Sequence, residues 1–349
     1  MVILAYAALL ASAVASSVVP PAPVTPVLQP MPRPEQVLAL PPELRTQLQA
    51  QVIDAGGSQR ARLERLAGFL FKKSGLGMEY AVDATYTVEQ AYRTRKANCL
   101  TFTLLTVALA REAGLQSYGQ ELLDVVSWRA EQDVVYGFNH VNAGILIGQS
   151  HYTIDVARDL LVARNPPQRI SDQHLLALYY NNRAAELLVG ASPEVADPYM
   201  AMALQLAPRY PSAWANAGVL SLRKGDRATA ERDYLKALAL DPENASALVN
   251  LVTLYRDGGD EAKRATYERR LEKIQAKDPY FEFVQAEGDE NKGDHAGAVQ
   301  HYRRAIRLYD KEPRFYAGLA RAYQQLGDQR AAEQALNRAA TLSRSTAGN

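Results

Sequence analysis

Three side chains, in the order Cys99, His140 and Asp155, have the types that a nucleophilic centre needs. Cys99 is the single cysteine among 349 residues and begins the apolar run of "NCLTFTLLTVALAREAGL". Asn98 just before it reads as an N-cap. That places the thiol in the first helical turn, where unpaired N–H groups and the positive end of the helix dipole favour a thiolate. In "FNHVNAGILIGQSHYTIDV", His140 opens one strand and Asp155 lies near the end of the next. A thiol needs a base, the imidazole needs a fixed tautomer, and a carboxylate on its far nitrogen supplies one. A lone cysteine is more commonly a small buried apolar residue. The histidine and aspartate downstream argue for reactivity.

Such a centre works only if the chain between these residues folds back on itself. An apolar helix over 99–113, ended by Gly114, and strands over 117–126, 140–147 and 151–156 are expected from their periodicity and flanking residues. In an antiparallel hairpin the start of one strand lies beside the end of the next. A turn over Gly148 to Ser150 pairs residue 147 with 151 and sets Asp155 opposite Ala143, on the face away from His140. Direct opposition of Asp155 and His140 takes a turn centred on Ile147 and Gly148, or a one-residue bulge, and one of these is expected. The Cys99 N–H is a candidate oxyanion donor, with Tyr92 or Gln90 as the second donor and Trp128 as a candidate cleft wall. His151 sits at a strand start on a turn, and His174, His295 and His301 lack partners at ligand spacing, so neither a metal nor a cofactor is called for.

These segments resemble the transglutaminase-like superfamily of papain-like cysteine enzymes. "NCLTFTLLTVALAREAGL" is similar to its nucleophile helix, and "NHVNAGI" and "YTIDV" to its histidine and aspartate strands, over roughly residues 75–160. The resemblance implies Cys99 as nucleophile, His140 as general base and acid, and Asp155 as the group orienting His140.

Around this module the chain is segmented. Residues 1–19, apolar and uncharged with small residues at Ala11 to Ala13 or Val14 to Ser16, read as a probable signal peptide, and so as export to a periplasm or medium. An uncleaved signal would anchor the chain to the membrane. No later segment has the ~20 apolar residues of a spanning helix. Seven prolines between Pro20 and Pro34 mark a spacer over 20–41. An α+β domain over 42–165 follows, with amphipathic helices near 43–54 and 59–72.

From Ala177 the texture becomes helical and periodic. In residues 211–244, Trp214, Gly218, Gly225, Ala230, Tyr234, Ala237 and Pro242 stand at the spacings of a tetratricopeptide repeat. Steps of 34 give five units over 177–346, starting at 177, 211, 245, 279 and 313. The third carries Arg264 and Glu268 where Ala and a large apolar residue belong, so a distortion is expected there. The fold class is therefore an α+β papain-like or transglutaminase-like domain followed by an all-α repeat solenoid.

Thirty-nine basic against 38 acidic residues give no reason to expect nucleic acid as a partner. One cysteine excludes an internal disulfide and a cysteine-rich zinc cluster. The expected function is an exported acyl transferase or hydrolase, forming a Cys99 thioester from a carboxamide or peptide bond, whose repeats bind a protein or peptide on their concave surface. The alternative is an inactive relative of that fold serving as an interaction scaffold.

Overall fold

A computed structural model describes residues 2–4, 30–82, 84–122, 128–131, 134–137, 140–156, 166–190 and 193–347. Apart from residues 2–4, the expected signal and the spacer up to 29 lie outside them. The strands are β1 (Val2–Leu4), β2 (Glu79–Tyr80), β3 (Lys96–Ala97), β4 (Gln116–Leu122), β5 (Trp128–Glu131), β6 (Val134–Gly137), β7 (His140–Ile147), β8 (Ser150–Ile154) and β9 (Gln168–Ile170). The helices before the repeats are α1 (Pro34–Val37), α2 (Pro42–Leu48, continuing into a π turn over Gln49–Ile53), α3 (Gln59–Phe71), α4 (Val88–Thr94) and α5 (Cys99–Glu112).

α5 is apolar nearly all round and is covered accordingly: every residue from Leu100 to Ala110 is buried. It packs on β7 and β4 on one side and against α3, α4 and the first repeat helix on others. The sheet beneath it has the antiparallel order β8-β7-β4-β9. β1, β6 and β5 form a second antiparallel sheet, and β2 and β3 a short parallel pair.

Two stretches differ from the sequence reading. Residues 30–41, assigned to the spacer, dock on the core: Val37 is fully buried and the Tyr180 hydroxyl donates to the Pro32 carbonyl at 2.7 Å. Proline at the first helical position is tolerated because that N–H has no partner to lose, so Pro34 starts α1 rather than preventing it. Residues 168–170, assigned to neither domain, add β9 to the sheet, and the next helix begins at Asp172. One apolar core runs from Val37 to Leu220, across both expected domains.

Ten helices follow among the described residues: α6 (Asp172–Gly190), α7 (Pro193–Leu206), α8 (Pro211–Arg223), α9 (Arg227–Leu240), α10 (Ala245–Asp257), α11 (Glu261–Gln275), α12 (Pro279–Asn291), α13 (His295–Leu308), α14 (Pro313–Gln325) and α15 (Gln329–Ala347). They pair as five antiparallel hairpins, α6/α7 through α14/α15. Gly225, Gly259, Gly293 and Gly327, 34 apart, turn four of the hairpins with φ of 83°, 73°, 79° and 80°. The aspartate after each glycine accepts from a backbone N–H three residues on, at Thr229, Lys263, Gly297 and Ala331, and caps the second helix.

In the third hairpin, Arg264 pairs with Glu261 and Glu268 at 2.7 and 2.6 Å, and Leu271 is the buried residue of α11. The hairpin forms, but the apolar cluster reaching from α8 ends at Leu271 and a separate one begins in α12. The departure shows as a division of the core. No described helix is long and apolar enough to cross a membrane.

A Cβ on Gly218 would lie 2.4 Å from the buried Tyr234 ring, whereas one on Gly288 of α12 meets nothing within 4 Å. Gly218→Val should destabilise the repeats by about 1–3 kcal/mol through overpacking. Gly288→Ala should stabilise by about 0.5–1 kcal/mol by improving a helix interior. Thermal melts of the full chain check both.

Candidate active site

The N-terminus of α5 is built from Asn98 and threonines. Asn98 is extended (φ −81°, ψ 179°) and its Oδ1 accepts from the Thr101 N–H at 2.8 Å. Cys99 is thus the first helical residue, half-buried, with its N–H free of any intrahelical carbonyl. The Thr103 hydroxyl donates to the Cys99 carbonyl at 2.7 Å. Thr101 donates through Oγ1 to the Ala84 carbonyl at 2.7 Å and accepts from the Tyr86 N–H at 2.8 Å, tying the 84–86 segment to the helix.

The hairpin β7/β8 pairs Ile147 with Ser150 and turns on Gly148 and Gln149, with Gly148 at φ 62°. Neither the expected centre at Ile147 and Gly148 nor a bulge is needed. With this pairing Asp155, one residue past β8, stands opposite Asn142 and diagonal to His140. Residues 140 and 142 share a face, and a diagonal neighbour is within reach of an imidazole. His140 Nε2 meets Asp155 Oδ2 at 2.6 Å, with both side chains at least nine-tenths buried.

Cys99 is the second ionisable group that acts on the His140 ring. Burial pushes the Cys99 thiol up. The His140 hydrogen bond and charge, with the Val141 N–H, outweigh it and hold the thiol below its ordinary value. Burial also pushes His140 down, but its hydrogen bonds to Asp155 and Cys99 prevail and lift it from 6.5 to about 9. With the imidazole raised and the thiol lowered, the pair is shifted toward thiolate and imidazolium, the state from which a cysteine attacks a carbonyl.

The weaker candidates are engaged elsewhere. The Gln90 Oε1 accepts from the Thr87 N–H at 2.9 Å, closing the capping box of α4. The Tyr92 oxygen accepts from Gln47 Nε2 at 3.1 Å, and the Arg95 guanidinium lies 4.5 Å from its ring centroid. Trp128 lies in β5, and its side chain is outside the described residues. Among the described residues no cluster suited to a metal occurs. His174 contacts Glu121 at 3.2 Å and His151 contacts the Tyr118 hydroxyl at 2.9 Å.

Sequence reasoning missed Asn142, whose Nδ2 donates to Asp155 Oδ2 at 3.1 Å and helps hold the carboxylate. Its signal was present: a polar residue two positions from His140, on the same face of an otherwise apolar strand.

Residues 211–244 and 292–343 each match a family described as tetratricopeptide repeat. Among solved structures, the chain is similar to MamA from Desulfovibrio magneticus RS-1 at 17% identity, covering 50% of this chain and 97% of that one, with a TM-score of 0.28. It is similar to YrrB, titled a tetratricopeptide-repeat protein with an unusual peptide-binding site, at 20% identity, 48% and 86% coverage, and a TM-score of 0.27. PilF of Pseudomonas aeruginosa matches at 17% identity, 49% and 78% coverage, and a TM-score of 0.30. No curated protein matches the chain.

The geometry yields a titration with a definite sign. A folded pKa above the unfolded one means that His140 stabilises the fold fully below about 6.5, and that this contribution is lost as pH rises through about 9. Nitrogen NMR of the ring should find it protonated at neutral pH, and Asp155→Asn should move its titration downward.

Proposed function

We propose that this chain joins a protein-binding repeat array to a cysteine-nucleophile centre of the transglutaminase-like type. The assembly of His140 between Cys99 and Asp155 in one buried cluster carries the reading. Cys99 and Asp155, 56 positions apart in sequence, both act there on one imidazole, as a general base with an orienting carboxylate requires. Sγ of Cys99 attacks the carbonyl carbon of a carboxamide or peptide, and the Cys99 N–H receives the developing oxyanion. His140 passes a proton to the departing amine and a thioester remains. Water or an amine, deprotonated by His140, then releases the acyl group and restores the thiol.

The repeats support a protein or peptide as the partner, bound on the concave face that stacked hairpins create. The shared core from Val37 to Leu220 supports delivery at a fixed orientation. Residues 1–19 support export of the chain to a periplasm or medium.

A second reading, an inactive centre with the repeats as an interaction scaffold, is favoured by the family matches, which lie in the repeats alone. The two readings separate in one experiment. Under the enzyme reading, iodoacetamide at neutral pH labels Cys99 at least about tenfold faster in the wild type than in His140→Ala, and Cys99→Ser fails to complement a deletion strain. Equal rates together with full complementation by Cys99→Ser would establish the scaffold instead.

A further inference from the structure

The five hairpins do not stack as one continuous array. From the first to the third, each junction is sealed twice, by apolar packing and by a side-chain hydrogen bond. α8 belongs to two clusters at once, with Ala213 and Leu220 in the one that reaches back to Val37 and Ala215 in the one that reaches forward to Leu271. Asn216 Nδ2 donates to Asn181 Oδ1 at 2.9 Å between the first and second hairpins, and the Tyr255 hydroxyl donates to Glu231 Oε1 at 2.6 Å between the second and third. The fourth and fifth are sealed in the same way, by the cluster from Ala286 to Ala335 and by Arg321 Nη2 donating to Glu290 Oε2 at 3.0 Å. Among the described residues no apolar cluster spans α11 and α12, the helices at which the third hairpin meets the fourth.

One aromatic residue shows the cause. Tyr302 of α13 is fully buried and reaches across to the next hairpin, where a Cβ on Gly318 of α14 would lie 2.4 Å from its ring. The residue 34 positions earlier, on α11, is Glu268. Its carboxylate turns back along its own helix to Arg264 at 2.6 Å. A charged group cannot take the place of the ring, because a carboxylate buried against α12 without a donor is costly. Eight of the fifteen residues of α11 are charged, which leaves Leu271 as its buried side chain. Tyr267 and Ile274, its other large apolar residues, pack on the cluster that comes from α8.

We propose that the repeat array presents two protein-binding surfaces joined by a hinge between α11 and α12. The proximal surface, on the hairpins from α6/α7 to α10/α11, is fixed to the thiol domain by continuous packing. The distal surface, on α12/α13 and α14/α15, reorients as a unit about residues 276–278. A protein that engages both holds the hinge in one setting, gripped at one end by the distal hairpins and presented toward Cys99 by the proximal ones. The hinge rests on packing alone; its use in delivering a substrate rests on the thiol reading.

The test measures distances between spin labels in the full-length protein, in a Cys99→Ser background so that only introduced cysteines are labelled. One pair, Glu64→Cys with Arg232→Cys, lies within the fixed part; the other, Arg232→Cys with Arg330→Cys, spans the hinge. All three residues are exposed, so these changes leave the core intact. The first pair should give a narrow distance distribution and the second a broad one. A second distribution as narrow as the first overturns the proposal. Amide hydrogen exchange gives an independent reading, because Gly318→Val should speed exchange through α12–α15 by at least about tenfold and leave α6–α9 at the wild-type rate. Acceleration of both parts together overturns the separation, and exchange in α6–α9 decides the matter even where the distal hairpins fail to fold. If wild-type Cys99 reacts with iodoacetamide no faster than a free thiol, the thiol reading fails while the hinge stands.

Discussion

A helix buried on every side can present chemistry only at its ends, and its first N–H groups must find partners there without much water. That constraint governs the N-terminal half of this protein. α5 is apolar nearly all round and buried from Leu100 to Ala110, so sheet, short helices and first repeat must all close around it. At its N-terminus a single asparagine supplies the missing acceptor, and the thiol follows at the next residue. Removing the Asn98 cap would leave a buried donor unmet and the thiol without a fixed direction. The sheet then brings His140 to that same end, because β7 is the strand that packs on α5.

The histidine and aspartate depend on register in a way that clarifies what a hairpin can do. A direct cross-strand pair is one of two ways for a long side chain to meet a carboxylate; the diagonal two residues away on the same face is the other. The observed pairing of Ile147 with Ser150 uses the diagonal and leaves the position opposite Asp155 to Asn142. The carboxylate is thereby held from two residues of one strand, which fixes the imidazole more firmly than a single contact would.

Much of this was legible in the sequence, for physical reasons. The Asn98 cap and the all-round apolar pattern predicted the helix at 99–113, because capping and periodicity are local. The 34-residue period predicted paired helices, since Gly-Asp recurs wherever a hairpin must turn and cap. What was missed depends on contacts between distant parts. Residues 30–41 looked like spacer because proline breaks ladders, yet Val37 is buried in the core and the Pro32 carbonyl meets Tyr180 of α6, which no local pattern reveals. β9 is three residues long and has no alternation to read. The turn was misplaced by the assumption of direct opposition. Arg264 and Glu268 signalled a departure, but its form, a core divided after Leu271, follows from which apolar partners remain in α11 and α12.

The account stands on one chemical state, a Cys99 thiolate held by the His140 imidazolium inside a packed cluster. The most direct measurement is the thiolate ultraviolet absorbance of the wild type minus that of Cys99→Ser, followed across pH. The account predicts that the difference is already developed at neutral pH and disappears only on acidification. A difference that emerges only near the ordinary thiol value of about 8.5 would contradict it.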